Sequence, residues 1–326
     1  MSLKQVRALM ALATVCALPE RMNRAISHAS LYATSDEVSV ARIACLLNYI
    51  RQPVAEGELV VERRRGELPE VEGELCEVVM TEAKIESSRA SHHVDFANRR
   101  LHVGRVIASA TQEEVLFSIR PDLFGAMIGC EPMAEDEAIV VRGAARYNDY
   151  RGYLRTFRYA GSYQNHHRED EPPAIVAIDA VVVDEYAAQF SQEALVRDLR
   201  KAYVGVSGAT SVSTGGWGTG AFGGDPILKW VQQWIAASLG GVERLEYSCY
   251  GNPSLYGRLT RLGSRVKNIP VSRLWKIACE FQKQQQTTED GGMAPYLSGR
   301  MGDLESRATS TPETPFETYL GAQLPD

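Results

Sequence analysis

The sequence predicts a layered α/β protein, on the strength of two kinds of segment and the way they alternate. Five runs rich in β-branched and aromatic residues read as strands: "LCEVVMTEA", "HVDFAN", "AIVVRGAARY", "RTFRYAGSY" and "AIVAIDAVVV". Four segments with helical apolar periodicity lie between and after them: "EEVLFSIRPDLF", "QEALVRDLRKAYVG", "DPILKWVQQWIAASLGG" and "VSRLWKIACEFQKQQQ". Strands mixed with helices bury their apolar faces most simply as layers around one core. At 326 residues the chain is long enough for that core to be sizeable.

Taken in order, "MSLKQVRALMALATVCALPE" has early positive charge, an apolar run and a small-residue Val15-Cys16-Ala17 ending, as a secretory signal would. Leu3, Val6, Leu9, Met10 and Ala13 nevertheless recur at helical spacing with Lys4, Gln5 and Arg7 between them, and this favours an amphipathic helix. Ser35 or Asp36 is placed to cap "EVSVARIACLLNYIRQ", whose apolar positions fall three and four apart. From Pro53 to Glu74 the chain is charged and proline-bearing, and reads as loops around short elements. The Gly240-Gly241 pair stops the third core helix. Beyond Arg300, "TSTPETPFETYLGAQLPD" is rich in Thr, Pro and Glu and predicts a flexible tail.

Composition narrows the function. An apolar fraction of 44% and a charged fraction of 23% are ordinary for a soluble globular protein. A net charge of -6 argues against general nucleic-acid binding, although Arg99, Arg100 and Arg105 leave room for a local basic pocket. Six cysteines, at 16, 45, 76, 130, 249 and 279, show no CxxC and no metal-ligand spacing, which points to a reducing compartment. No run approaches the ~18 apolar residues of a membrane span.

Four clusters carry candidate chemistry. In "VDFANRR", Asp95 and Asn98 end a strand, where such side chains can hold sugar hydroxyls; taken alone, a strand followed by an Asx turn is the better reading. In "RRLHVGRVIASATQEEVLF", Glu113 and Glu114 stand at a loop-to-helix junction behind a loop with only Gly104, a weak phosphate signal. The macrodipole alone favours carboxylates at a helix start. "STGGWGTGAFGGD", residues 213 to 225, has six glycines in thirteen residues and is a better anion cradle, though it fits neither the Walker nor the dinucleotide pattern. There Asp225 before Pro226 reads equally as an N-cap. Lastly, "RYNDYRGYLRTFRYAGSY" (Tyr147, Tyr150, Tyr153, Phe157, Tyr159) and "LEYSCYG" (Tyr247, Tyr250) offer rings for a planar base, or simply cross-strand pairs. The His92-His93 and His166-His167 pairs lack ligand spacing on one face and read as surface or turn residues.

In this order, "VDFAN", "QEE", "YNDYRGYLRTFRY", "IVAIDA", "LRKAYVG" and "GWGTGAFGGD" resemble the motifs of the poly(ADP-ribose) glycohydrolase family from about Val94 to Gly251. "LKQVRALMALATVCALPE" more weakly resembles the start of that family's helical accessory region. The resemblance implies a three-layer α/β/α macrodomain with a mixed sheet over residues 71–299, a helical accessory region over 1–70, and a flexible tail over 300–326. It implies metal- and cofactor-free hydrolysis of ribose–ribose O-glycosidic bonds in poly(ADP-ribose) or on ADP-ribosylated proteins, releasing ADP-ribose in the nucleus and/or cytoplasm. No sequence-specific nucleic acid and no membrane is implied as partner.

By the same resemblance Glu114 matches the catalytic acid/base, and Glu113, after Gln112 of the motif, the neighbour that positions the ribose. Asp95 and Asn98 match binding residues near the adenine and the catalytic ribose, and Tyr153 and Tyr250 the rings around adenine. Gly220, Ala221, Phe222 and Gly223 match the diphosphate loop and its ribose-shaping aromatic. The sequence departs from the family where His102, Val103 and Gly104 replace three glycines, and where Gly216 replaces an asparagine. Those departures keep two alternatives open: an ADP-ribose-binding module with impaired catalysis, and a hydrolase of a related ADP-ribosyl bond.

Overall fold

The structure, a computed structural model, describes residues 1–19, 26, 28–53, 56–101, 110–164, 171–287 and 312–325. Helices α1 (Leu3–Thr14), α2 (Ala29–Tyr32) and α3 (Glu37–Arg51) precede strands β1 (Val60–Arg65), β2 (Glu77–Thr81) and β3 (His92–Phe96). There follow α4 (Gln112–Ile119), α5 (Phe124–Gly129), β4 (Glu137–Arg142), β5 (Asn148–Arg151), β6 (Arg158–Ser162) and β7 (Ala174–Ile178). The remainder is α6 (Gln192–Val206), β8 (Ser211–Thr214), α7 (Pro226–Leu239), β9 (Arg244–Ser248), α8 (Pro253–Val266), α9 (Val271–Thr287) and α10 (Pro315–Gln323). Strands run β1-β4-β7-β3-β8-β9-β2 in a seven-stranded sheet, and β5 and β6 pair separately. The sheet is mixed: β4 and β7 are antiparallel, while β3, β8, β9 and β2 pair in parallel.

The chain forms two compact units of interleaved segments. The first comprises Met1–Arg63, Asp95–Met133 and Ile139–Ala177. In it α1 is capped by Ser2 and buries Leu3, Val6, Met10 and Ala13, the face its periodicity predicts. These pack with Leu46 and Tyr49 of α3, Leu116 and Phe117 of α4, Phe124 of α5, Ile139 and Val141 of β4, and Ile175 of β7. Burial of each large side chain stabilises by about 1.5–3 kcal/mol, so α1 is part of this core rather than an appendage. Arg7 on the same helix lies 3.8 Å from the Tyr49 ring centroid and donates to the Gln52 carbonyl. Asp36, of the two candidate caps, accepts the Val38 and Ser39 N–H groups at the start of α3. Buried Asn148 of β5 donates to the Cys45 carbonyl at 3.1 Å and the Ser118 carbonyl at 2.8 Å, fixing α3 and α4 to that strand.

The second unit comprises Arg64–Val94, Ala134–Ala138 and Ile178–Asp326. The parallel register sets His92 and His93 beside Val212 and Ser213, and both histidines are buried, not on a surface or turn as the sequence reading had them. A strand covered on both faces buries every side chain, whatever its polarity. Helix α8 went unread because Gly257, Gly263 and the arginines dilute its pattern; Leu255, Leu259, Leu262 and Val266 are nonetheless buried at helical spacing. The Thr- and Pro-rich C-terminal stretch is not a tail throughout. Thr314 caps α10, Phe316 packs against Phe190 and Phe281 with both centroids at 5.3 Å, and Glu317 pairs with buried Arg258. Threonine and proline there start a helix, and the aromatic ring anchors it.

A charged network joins α6 and α7 inside this unit. Asp179 pairs with Arg197 and Lys201, and Asp198 with Arg197 and Lys229. Lys229 and Asp198 are fully buried, and Lys229 depends on Asp198 for charge balance, while Asp198 is shared with Arg197. Lys229→Met should cost about 3 kcal/mol of unfolding free energy, measured by denaturant melting at neutral pH.

Candidate active site

The predicted ribose side is built in the first unit, where β3 ends and α4 begins. Asp95 is the penultimate residue of β3 and Glu113 and Glu114 lie in the first turn of α4; their exposures are 1%, 2% and 2%. Four side-chain bonds set this junction. Gln112 Oε1 accepts the Phe96 N–H at 2.8 Å and so ties the strand end to the helix start. Asn98 Nδ2 donates to Glu113 Oε2 at 3.2 Å. Glu114 Oε2 accepts the Thr111 N–H at 2.9 Å and also the Thr111 hydroxyl. Glu114 therefore serves as the cap-closing glutamate of a Thr-x-x-Glu start. The helix-start reading of the paired glutamates holds, and it fixes the Glu114 carboxyl in one orientation.

What a cap does not explain is the rest of the cluster. Among the described residues, Glu113 Oε1 and Asp95 Oδ1 are buried without a hydrogen-bond partner. Native proteins rarely leave such acceptors unsatisfied, and where they do the group awaits a ligand, a water or a proton. Burial and then the Glu114 charge push the Asp95 carboxyl up to about 8. Burial, then Asp95 and Glu114, push Glu113 well above the carboxylate range, with the Asn98 bond opposing. Two carboxyls that hold protons thus stand with Glu114 in a place closed to water, an arrangement suited to general acid chemistry and to binding hydroxyl groups.

Tyr153 is placed in the same unit by a tight turn. Gly152 (φ 76°) and Leu154 (φ 51°) are both left-handed, the latter a strained conformation for a leucine. The turn closes through Leu154 N–H to the Ala110 carbonyl at 2.9 Å. The Tyr153 ring is half-buried against the apolar cluster of Val38, Ala41, Cys45, Ala110, Val115 and Phe157, and burial and then the Glu114 charge push its hydroxyl up to about 12. His102, Val103 and Gly104, the altered loop, lie outside the described residues, as do His166 and His167.

The glycine-rich loop belongs to the second unit. Asp225 is the N-cap of α7, accepting from Ile227 and Leu228 with Pro226 at the first helical position, and it also accepts from the Tyr186 hydroxyl at 2.7 Å. Its role is structural. The base of the loop is stiff: Trp217 Nε1 donates to the Ile178 carbonyl at 2.9 Å, and Gly224 N–H to the Gly218 carbonyl at 2.9 Å. Gly218 has φ 72°, and a Cβ there would lie 2.6 Å from the Ala180 Cβ, so no other residue fits. Gly216 is tight as well, since its Cβ would meet the Thr219 hydroxyl at 2.6 Å; that hydroxyl folds back on the Gly216 carbonyl at 2.8 Å. The tip at Gly220 and Ala221 is exposed, with Phe222 and Gly223 half-buried behind it. Tyr250 is 49% exposed, with Lys84 Nζ 5.3 Å from its ring centroid, as a surface for a planar group would be.

Motif order, a mixed sheet, a buried carboxyl cluster and a stiff glycine loop together define a macrodomain-type protein. The family model described as poly(ADP-ribose) glycohydrolase, macro domain fold, matches residues 67–256. The chain belongs to the poly(ADP-ribose) glycohydrolase family. It is 30% identical over 232 residues to poly(ADP-ribose) glycohydrolase 1 of Caenorhabditis elegans, covering 65% of this chain and 29% of that protein. It is 29% identical over 241 residues to a probable poly(ADP-ribose) glycohydrolase 2 of Arabidopsis thaliana, covering 59% of this chain and 46% of that protein. The chain thus spans less than half the length of these two relatives. A crystal structure of poly(ADP-ribose) glycohydrolase from Deinococcus radiodurans in complex with ADP-ribose aligns at 17% identity and a TM-score of 0.34, over 53% of this chain and 77% of that one.

The raised carboxyls make folding pH-dependent. Asp95 keeps its proton in the folded chain up to about 8, whereas an unfolded aspartate loses it near 4, so this group withdraws stability as pH climbs between the two. Asp95→Asn should therefore melt with the parent near pH 4 and above it at pH 8, by on the order of 3 °C or more. Thermal melts across that range check it.

Proposed function

We propose that this chain hydrolyses the ribose–ribose O-glycosidic bonds of poly(ADP-ribose), releasing ADP-ribose. The observation that carries the reading is the buried trio Asp95, Glu113 and Glu114, two of them with an oxygen that has no partner among the described residues. Glycoside cleavage passes through an oxocarbenium-like state and needs a proton at the leaving oxygen. Glu114 supplies that proton as the anomeric C–O bond breaks. Its carboxylate then takes a proton from the water that adds to the anomeric carbon, which restores the acid. Glu113, oriented by Asn98, accepts from a ribose hydroxyl, and Asp95 binds a further polar group of the nucleotide. Gln112 acts through the backbone it braces. In the second unit Gly220, Ala221, Phe222 and Gly223 take a diphosphate and its adjoining ribose and Tyr250 a planar base, and in the first unit Tyr153 offers a ring for a base.

The substrate is the polymer or ADP-ribosylated protein, in the nucleus and/or cytoplasm, with neither metal nor cofactor. Nucleic-acid sequence and membranes play no part. Among the described residues no helix is long and apolar enough to cross a membrane.

Glu114→Gln should keep ADP-ribose binding by calorimetry and lose about 10^2–10^4-fold in release of ADP-ribose from auto-modified poly(ADP-ribose) polymerase. A fully active variant sinks the assignment. ADP-ribose binding by the parent protein without any release would make the chain a reader instead.

A further inference from the structure

We propose that Tyr186 is a positioning residue of the glycine-rich loop: its hydroxyl couples the docking of the C-terminal helix α10 to the loop's grip on its ligand. The part that concerns a ligand rests on the diphosphate assignment of residues 220–223; the coupling itself does not.

The chain that follows β7 runs alongside the loop and holds it at several points. At Ala180 the contact is steric, since a Cβ on Gly218 would lie 2.6 Å from the Ala180 Cβ. Asp198 Oδ1 on α6 accepts the Val181 N–H at 3.0 Å and so anchors this segment to the buried charged network. Val183 N–H then donates to the Phe222 carbonyl at 2.8 Å, just behind the exposed tip. The 3-10 helix Tyr186–Phe190 reaches the loop's last residue twice. The Tyr186 hydroxyl donates to Asp225 Oδ2, and Gln189 Oε1 accepts the Asp225 N–H, both at 2.7 Å. Gln189 Nε2 donates to the Tyr186 carbonyl at 3.0 Å, which ties the two holds on Asp225 together.

The same Tyr186 hydroxyl accepts the Phe316 N–H at 3.2 Å. An amide in the first turn of a helix has no partner within the helix, and Tyr186 supplies one to α10. A single hydroxyl thus accepts from α10 and donates to the loop, and in a buried chain of this kind each bond polarises the next. Tyr186, Asp225 and Phe316 are all buried. The Phe316 ring packs on Phe190, at the other end of the 3-10 helix. Helix α8 holds α10 as well: Arg258 Nε donates to Glu317 Oε1 at 2.8 Å, and Arg265 donates to the Leu324 and Pro325 carbonyls, each at 2.9 Å. The brace on the loop therefore comes from a helix beyond residues 67–256, the span that the family model matches. With α10 undocked, Tyr186 loses the donor that orients its hydroxyl, and the hold on Asp225 slackens. A tip with a slack base is ordered at the expense of binding. Coupling of this kind is reciprocal, so a ligand at the tip also favours docked α10.

Three variants test this: Tyr186→Phe, which keeps the ring, Phe316→Ala, which undocks α10, and the two combined. The readouts are ADP-ribose affinity by calorimetry, well below melting, and amide hydrogen exchange without ligand. Each single variant should bind ADP-ribose about tenfold more weakly. The double variant should lose less than the product of the two, because both interrupt one relay; a full product overturns the coupling. Tyr186→Phe with unchanged affinity and a lowered melting temperature would show a hydroxyl that serves stability alone and overturn the proposal. Exchange at the Val183 and Gly224 amides should quicken about tenfold more than at the amides of β9 in either single variant. Acceleration that is equal everywhere, or none at these two amides, overturns the coupling, and Tyr186→Phe alone decides it where Phe316→Ala does not fold. A parent protein that binds no ADP-ribose would defeat the diphosphate assignment alone, and the exchange comparison would still judge Tyr186.

Discussion

Asp95, Glu113 and Glu114 are all withdrawn from water, and much of the first unit can be understood as what it takes to keep them there. A buried carboxyl must hold a proton, a hydrogen bond or a counter-charge. Here the first two are used: Asp95 and Glu113 hold protons, Asn98 donates to Glu113, and Glu114 is tied to Thr111. None of this survives loose packing, because a water molecule admitted to the cluster would solvate the charges and erase the shifts. The apolar contacts of α1 and α3 with α4 supply the seal. The N-terminal helices are in this sense part of the chemistry, although neither glutamate lies within them.

This dependence explains which parts of the molecule could be read from sequence. Local rules written in adjacent residues were legible: the Asp36 cap, the Asp225-Pro226 helix start, the Gly240 stop and the apolar stripe of α1. So was the pair Glu113-Glu114, although helix-start physics and catalysis make the same pattern and only the motif order chose between them. Features set by distant neighbours were not legible. β8, "SVST", is a strand only because β3 and β9 flank it. His92 and His93 look like turn residues until the sheet closes over them.

The glycine-rich loop shows a second kind of information, readable in composition but not in meaning. Six glycines imply backbone that approaches something closely, without saying whether that is a ligand or the protein. At the base of the loop it is the protein: Gly218 and Gly224 are small because Ala180, Lys229 and the loop's own backbone crowd them. Gly220 lies at the exposed tip. Rigidity at the base lowers the ordering cost of binding at the tip.

The same accounting bears on whether the chain is an enzyme or a reader. Binding a nucleotide diphosphate sugar needs neutral hydrogen-bonding groups, which asparagine and glutamine supply without raising any proton affinity. Asp95 and Glu113 instead withdraw stability at neutral pH and leave acceptor oxygens without partners among the described residues. A cluster of that kind is destabilising in the resting protein, and a bound hydroxyl or a reaction that develops charge at the same spot offsets that. The sequence departs from the family's motifs at His102, Val103 and Gly216 and keeps Asp95, Glu113 and Glu114, so what is retained is the group of acids whose burial costs stability.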